Sequence, residues 1–285
     1  MPHFRPTRMQ ILIVSIFIIL TLGLTFALTR QKTVVVSVQN VNVRQGPGLK
    51  YKSVETLNSK TRLSVLAEKN DWYKVRINDH KFGWIASWLV NRRDNLKRAT
   101  KLSEATIVID PGHGGWDSGA EYKDNSKNPK YMEKTYTLEV AKLVAADLRT
   151  QGAHVIMTRD SNKYVGLKAR PKLAEKVHAD AFISFHFDSS PQRNEASGLT
   201  TYYYHKGASK KLAKTLNKQF NSLPMTNRGI DFGNFLVIRD NTRPAILCEM
   251  GYINDTHDYK KIKSTAYQIK VARLVTKGLS EYFSS

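Results

Sequence analysis

Residues 106–115 read TIVIDPGHGG. Thr106 to Ile109 is a short apolar run, and it stops at a proline and a glycine-rich turn, the punctuation that ends a buried strand. Outward from this stretch the chain alternates. Leu138, Ala141, Ala145 and Leu148 recur at helical spacing, with Gly152 placed to cap that helix. Ala153 to Met157 reads as the next strand, and Leu167, Leu173, Ala174 and Val177 mark a second helix. Ala181 to His186, Leu199 to Tyr204, Phe235 to Ile238 and Ala245 to Glu249 read as further strands, and a last helix is expected from about Ala266 to Tyr282. Strands alternating with helices predict an α/β fold, a mostly parallel sheet sandwiched by helices, over 105–285. Open sheets of this kind bind ligands at the carboxyl ends of their strands. His113 follows one strand end, and His186 and Glu249 end two others, so residues distant in sequence converge on one edge.

These residue types suit a hydrolytic metal site. Such a site uses three imidazole or carboxylate ligands with one open position, and a further carboxylate to move a proton. His113, Glu133 and His186 are candidate metal ligands, and Glu249, a charge at the end of an apolar strand, needs a partner. Each has a structural alternative: a strand-end histidine can be a packed, hydrogen-bonded side chain, and Glu133 can be a helix-capping acid. The ligands are also scattered, unlike a compact His-Glu-x-x-His helix.

The motifs narrow this. Residues 107–120 (IVIDPGHGGWDSGA), Glu133-Lys134, residues 179–186 (ADAFISFH) and residues 244–253 (PAILCEMGYI) together resemble the zinc-dependent N-acetylmuramoyl-L-alanine amidases, over Ala105 to about Tyr282. The resemblance implies Zn²⁺ as cofactor, held by His113, Glu133 and His186, with Glu249 as the catalytic carboxylate. It implies cleavage of the amide between the lactyl group of N-acetylmuramic acid and L-alanine, with peptidoglycan as substrate. Asp188, Asn254 and Asp255 depart from the family pattern, which bears on substrate preference. Asp110 and Asp117 could be ligands, although a turn or supporting role suits them better. Arg159, Arg170 and Arg239 are candidates for substrate carboxylates or for structural ion pairs. His154, His178, His205 and His257 match no motif. Cys248 lies in an apolar run and reads as a core thiol. An amidase fold kept only for binding the wall is the alternative, and the intact His/Glu/His plus Glu set argues against it.

Residues 33–92 follow a different pattern, short alternating runs separated by turns, which predicts a small barrel. Residues 41–48 (VNVRQGPG), 71–75 (DWYKV) and 83–85 (GWI) resemble bacterial SH3-like domains, which accompany wall hydrolases and bind wall peptides or proteins. Trp72 and Trp84 read as core. Residues 93–104 are charged and aperiodic and are expected to form a linker or short exposed helix.

Residues 9–29 are almost wholly apolar, with Gln10 as the strongly polar member. The run meets the ~20 residues a membrane-spanning helix needs. Arg5 and Arg8 before it predict a cytoplasmic N-terminus and an extracellular catalytic domain in a single-pass membrane protein, although Arg30 and Lys32 make the far flank basic too. No small-x-small cleavage site ends the run, which favours an uncleaved anchor. Thr21 and Thr25 with Gly23 between them could pack a partner helix. The net charge is +21, from 45 Lys+Arg against 24 Asp+Glu. With the chain outside the cell, that charge points to an anionic wall polymer or lipid headgroups rather than nucleic acid. A membrane-protein partner or activator is a further expectation of the anchor.

Overall fold

A computed structural model describes residues 6–29, 32–123 and 127–285, with backbone alone at 24–29. Helix α1 (Arg8–Thr29) has 22 residues. Its described apolar side chains are exposed along its length. Among the residues described with their side chains, which for α1 are 8–23, no helix is long and apolar enough to cross a membrane. The flanking Arg5 and Arg30, and the side chain of Thr25, lie outside the described residues.

The strands β1 (Thr33–Val35), β2 (Val41–Arg44), β3 (Ser53–Leu57), β4 (Arg62–Lys69), β5 (Trp72–Asn78) and β6 (Lys81–Ala86) form one sheet in the order β1-β4-β5-β6-β2-β3, antiparallel throughout. Alternating apolar residues fill it: Val34, Val36, Val41, Val43, Leu63, Trp72, Val75 and Ile85 are buried. Trp72 is core, as its spacing predicts, while Trp84 is half-buried against the same cluster.

The second sheet has the order β11-β10-β12-β9-β7-β8, built from β7 (Thr106–Pro111), β8 (His154–Met157), β9 (Ala181–Asp188), β10 (Leu199–Tyr203), β11 (Asn227–Phe232) and β12 (Ala245–Tyr252). β7, β8, β9 and β12 are parallel, β10 runs antiparallel to β12, and β11 is parallel to β10. The sheet is therefore mixed at one side. Side-chain alternation sends Ile107, Ile109, Ile183, Phe185, Ile246 and Cys248 to one face and Val108, Phe182 and Leu247 to the other. The first face is covered by α2 (Glu133–Thr150), α4 (Ala208–Phe220) and α7 (Thr265–Ser284), the second by α3 (Ala169–Lys176) and α5 (Leu236–Arg239). A short α6 (Thr256–Ile262) follows β12. Both faces being covered explains why the central strands read as near-continuous apolar runs.

Two expectations need correction. Phe235 to Ile238 is not a strand: Leu236–Arg239 is a helical turn, with Val237 and Ile238 packed on Ala245 and Leu247. A four-residue apolar run has no period of its own, so strand and buried helix read alike. Residues 93–104 are not a free linker. Ala99 N donates to the Gln39 carbonyl at 2.7 Å, Leu96 packs against Gly152, and Ala99, Leu102, Ser103 and Glu104 are buried. The Glu104 carboxylate accepts from Asn42 N (3.2 Å), Asn42 Nδ2 (2.7 Å) and Arg44 Nε (2.8 Å) and also pairs with the second Arg44 nitrogen. Trp88 donates its indole N–H to the Ser103 carbonyl at 2.7 Å and stacks on His154 with centroids 4.7 Å apart. These contacts dock the barrel against the start of β7 and β8, the amino edge of the second sheet.

Candidate metal centre

The opposite, carboxyl edge gathers the predicted residues. β7 ends at Pro111, and the chain then turns through Gly112 and His113. His113 has φ +58°, a left-handed conformation that costs a non-glycine residue energy and persists only where surroundings hold it. Two buried guanidiniums do so. Arg159 donates to the carbonyls of Pro111 (3.1 Å) and Gly112 (2.7 Å), and Arg170 to those of Pro111 (2.8 Å) and His113 (3.1 Å). Asp110, fully buried, accepts from Arg170 (2.8 Å), Thr158 (2.6 Å) and Ser184 (2.7 Å). Asp110 is thus committed to the supporting network, and Arg159 and Arg170 are structural rather than substrate-facing.

Glu133 opens α2, where the first turn favours a negative charge. It is buried, and both its oxygens are occupied. Oε1 lies 2.9 Å from His186 Nδ1 and accepts from Phe187 N at 3.0 Å; Oε2 lies 3.0 Å from His113 Nε2 and accepts from Ala120 N at 2.8 Å. Burial pushes the Glu133 pKa up, but hydrogen bonds from both histidines outweigh it and hold the carboxyl below its ordinary range. At His113 burial lowers the pKa, and Glu133 and Asp117 together more than offset it, so the imidazole is raised. Asp117 faces His113 Nδ1 with both oxygens at 3.0 Å, which orients the ring as carboxylates do behind metal-binding histidines.

Among the described residues, His113, Glu133 and His186 form one cluster able to hold a metal ion, their ligand atoms all within 4.8 Å of one another. Two imidazoles and a carboxylate are a donor set suited to zinc, and three protein donors leave a position open. Glycines make the room. A Cβ at Gly112 would lie 2.3 Å from the His186 ring, and one at Gly119, whose φ is +68°, would lie 2.5 Å from Glu133 Oε2.

Glu249 is directly beside His186 on the neighbouring parallel strand. It is buried, and its Oε2 has no hydrogen-bond partner within the protein. Burial first, then the charges of Glu133 and Asp188, raise its pKa well above the ordinary carboxylate range. A buried carboxyl group with one oxygen left without a partner, next to the candidate metal ligands, is placed to take a proton.

The remaining candidates disperse. Arg239 pairs with its neighbour Asp240, and His205 contacts the Arg239 carbonyl. His154 serves the barrel junction. Cys248 is buried, and burial pushes its thiol pKa up, which disfavours a nucleophilic role. The ion-pair alternative holds for Arg170, which pairs with Asp110; the grip of Arg159 and Arg170 on the loop was not legible in sequence, because there their partners are backbone carbonyls.

Comparison with known proteins agrees with this geometry. The family model described as N-acetylmuramoyl-L-alanine amidase matches residues 107–281, and that of the bacterial SH3 domain matches residues 39–91. A protein of Staphylococcus epidermidis named probable cell wall amidase LytH is 35% identical over 254 residues, 87% of this chain and 83% of that one. The crystal structure of an N-acetylmuramoyl-L-alanine amidase from Clostridium difficile 630 superposes with a TM-score of 0.60 at 34% identity, covering 64% of this chain and 97% of its own. The CwlD amidase from Clostridioides difficile, solved in complex with the GerS lipoprotein, gives 0.58 at 26% identity over 63% and 98%.

Proposed function

The chain belongs to the N-acetylmuramoyl-L-alanine amidase family, and from that premise we propose how its residues work and where it acts. It is a cell-wall hydrolase that cleaves the amide joining the muramoyl lactyl group to L-alanine. His113, Glu133 and His186 hold Zn²⁺, and the observation that carries this reading is their single cluster with Glu249 on the adjoining strand. When bound, zinc polarises the scissile carbonyl and lowers the pKa of water towards ~7. Glu249 accepts the proton of the attacking water and returns it to the alanine nitrogen as the C–N bond breaks, so the stem peptide leaves as an amine. Asp117 keeps the His113 ring in orientation, and Arg159 and Arg170 hold the loop that carries it.

The test is mass spectrometry of peptidoglycan incubated with the full chain. Expected products are free stem peptides and lactyl-ended glycans, lost with chelator and restored by Zn²⁺. Glu249→Ala should retain about one zinc per chain and cleave nothing; unchanged turnover in that variant refutes the assignment.

We further propose that α1 anchors the enzyme in the membrane with the catalytic domain outside, so that it acts on wall close to the membrane during synthesis, remodelling or division. Twenty-two helical residues rise about 33 Å, against a hydrocarbon core of about 30 Å. The surplus of basic residues suits anionic wall polymer or lipid headgroups. That the CwlD amidase was solved in complex with the GerS lipoprotein supports a protein partner for this chain too. The full chain should stay with membranes through alkaline carbonate washing and be released when residues 1–31 are deleted; release of the full chain would remove the anchor.

A further inference from the structure

A cleft of about 650 Å³ opens beside the metal cluster. Its inner wall is Gly119 and Ala120, the backbone that also donates to Glu133. Its outer wall is the loop after β9, Ser189 to Arg193, with Asn254 from the end of β12. That outer loop is pinned. Asn254 and Ser190 exchange bonds of 2.7 and 3.2 Å, and Asn194 accepts from Thr256 N at 2.7 Å. Arg193 stands at the mouth. Its guanidinium lies over the Tyr122 ring, 4.1 Å from the centroid, and donates to the Tyr122 carbonyl at 3.3 Å. Tyr122 is itself stacked on Tyr259, centroids 3.8 Å apart. Lys123 brings a second cation to the lining, and Glu121 is the acid there.

An exposed guanidinium held on an aromatic face keeps its charge and is pre-oriented for a planar anion. A carboxylate is the group it can grip with two parallel bonds. The reaction places a peptide next to the metal, since the bond cut is the one at which that peptide begins. We propose that this cleft receives the stem peptide, and that Arg193 binds the first free carboxylate beyond the scissile alanine, on the second residue, making it a determinant of which peptide is accepted. This rests on the amidase reading. None of the arginines suggested by sequence can take the role: Arg159 and Arg170 are buried under the metal loop, and Arg239 lies on α5 against Asp240.

The test uses two soluble muropeptides that differ only at the second stem residue, one carrying a free α-carboxylate and one a carboxamide. The full chain should prefer the carboxylate. Arg193→Ala should lower kcat/KM for it roughly 5- to 30-fold, mostly through KM, and leave the carboxamide nearly unchanged. Arg193→Lys should recover part of the preference and Arg193→Glu should reverse it. Equal losses on both substrates, or none on either, overturn the proposal. The corresponding free peptides, titrated onto Glu249→Ala protein and onto Glu249→Ala/Arg193→Ala protein, separate this from any failure of the amidase reading. A carboxylate preference that disappears with Arg193 sustains the site even where nothing is cut, and a preference indifferent to Arg193 overturns it.

Discussion

Replacing Glu104 by alanine should destabilise the barrel and the catalytic domain together. The side chain of Glu104 is fully buried, and that of Arg44 is 7% exposed. The substitution removes the acceptor of two of the three Arg44 side-chain bonds and of the two bonds that Asn42 donates to Glu104. Asn42 sits at the margin and can rehydrate. Arg44 keeps only its bond to the Tyr51 carbonyl. A buried charge left unpaired costs about 3–5 kcal/mol, a large share of the ~5–15 kcal/mol that holds a domain together. With a urea slope of about 1–3 kcal/mol per molar, the midpoint should fall by about 1–5 M. Glu104→Gln keeps the shape and should lose less, and Arg44→Met/Glu104→Leu, which removes both charges, should recover most of the loss. The assay is urea unfolding of detergent-solubilised full chain. It should be followed by far-ultraviolet circular dichroism and by tryptophan fluorescence. Trp72, Trp84 and Trp88 report the barrel and Trp116 the catalytic domain. Because the barrel is docked, the two probes should give one coincident transition in the parent protein. A loss below about 1 kcal/mol, the worth of an exposed ion pair, or a barrel transition separate from the start, would refute the reasoning.

The other expectations concern single side chains. Gly112→Ala places a Cβ 2.3 Å from the His186 ring, so the ring must move; zinc affinity should fall by at least about tenfold, as for other displaced metal-site geometry, and an unchanged zinc titration would contradict the site. Asp180 accepts from Thr106 N, and burial raises its pKa to about 6, partly offset by that bond and by Arg243. A carboxyl raised in the fold weakens stability as pH climbs from its unfolded value near 3.9 through about 6. Asp180→Asn keeps the acceptor without the charge, so it should stabilise by about 1–2 kcal/mol at pH 7.5, discounted for partial exposure, and by nothing at pH 4; equal urea midpoints at pH 7.5 would refute this.

The fold's central strands were legible because both faces of β7, β9 and β12 are covered, which writes the burial into uninterrupted apolar runs. The short elements were not. Leu236–Arg239 is too brief to show a period, and β11, Asn227–Phe232, is a half-exposed edge strand with little apolar content. The metal cluster was legible as residue types at strand ends and through its motifs, yet its support was not. Arg170 forms the kind of structural ion pair its sequence allowed, with Asp110, but Arg159 and Arg170 hold the loop through carbonyls, which any residue supplies, so no side-chain pattern announces that role. Residues 93–104 looked solvated because charge was read without partners; Glu104 is satisfied by Arg44, 60 positions away. Arg193 sits in a polar loop, and only the pairing of β9 with β12 shows which cleft that loop walls.

The two edges of the catalytic sheet divide the labour of the molecule. The barrel meets the amino edge at Glu104, Ser103 and His154. His113, His186 and Glu249 occupy the carboxyl edge. A strand such as β9, eight residues long, separates those edges by about 26 Å, where two unit charges interact by only about 0.6 kcal/mol at an effective dielectric constant of about 20, and Arg44 and Glu104 offset each other's charge. The barrel therefore has little electrostatic leverage on Glu249. What it can do is hold: its buried junction fixes the catalytic domain to whatever the barrel touches, so the edge carrying the metal cluster faces away from it. Substitutions at Arg44, Glu104 or Trp88 should consequently change unfolding while leaving the pH profile of cleavage unmoved in protein that is still folded. A shifted profile in such protein would mean that the two edges communicate through the sheet itself.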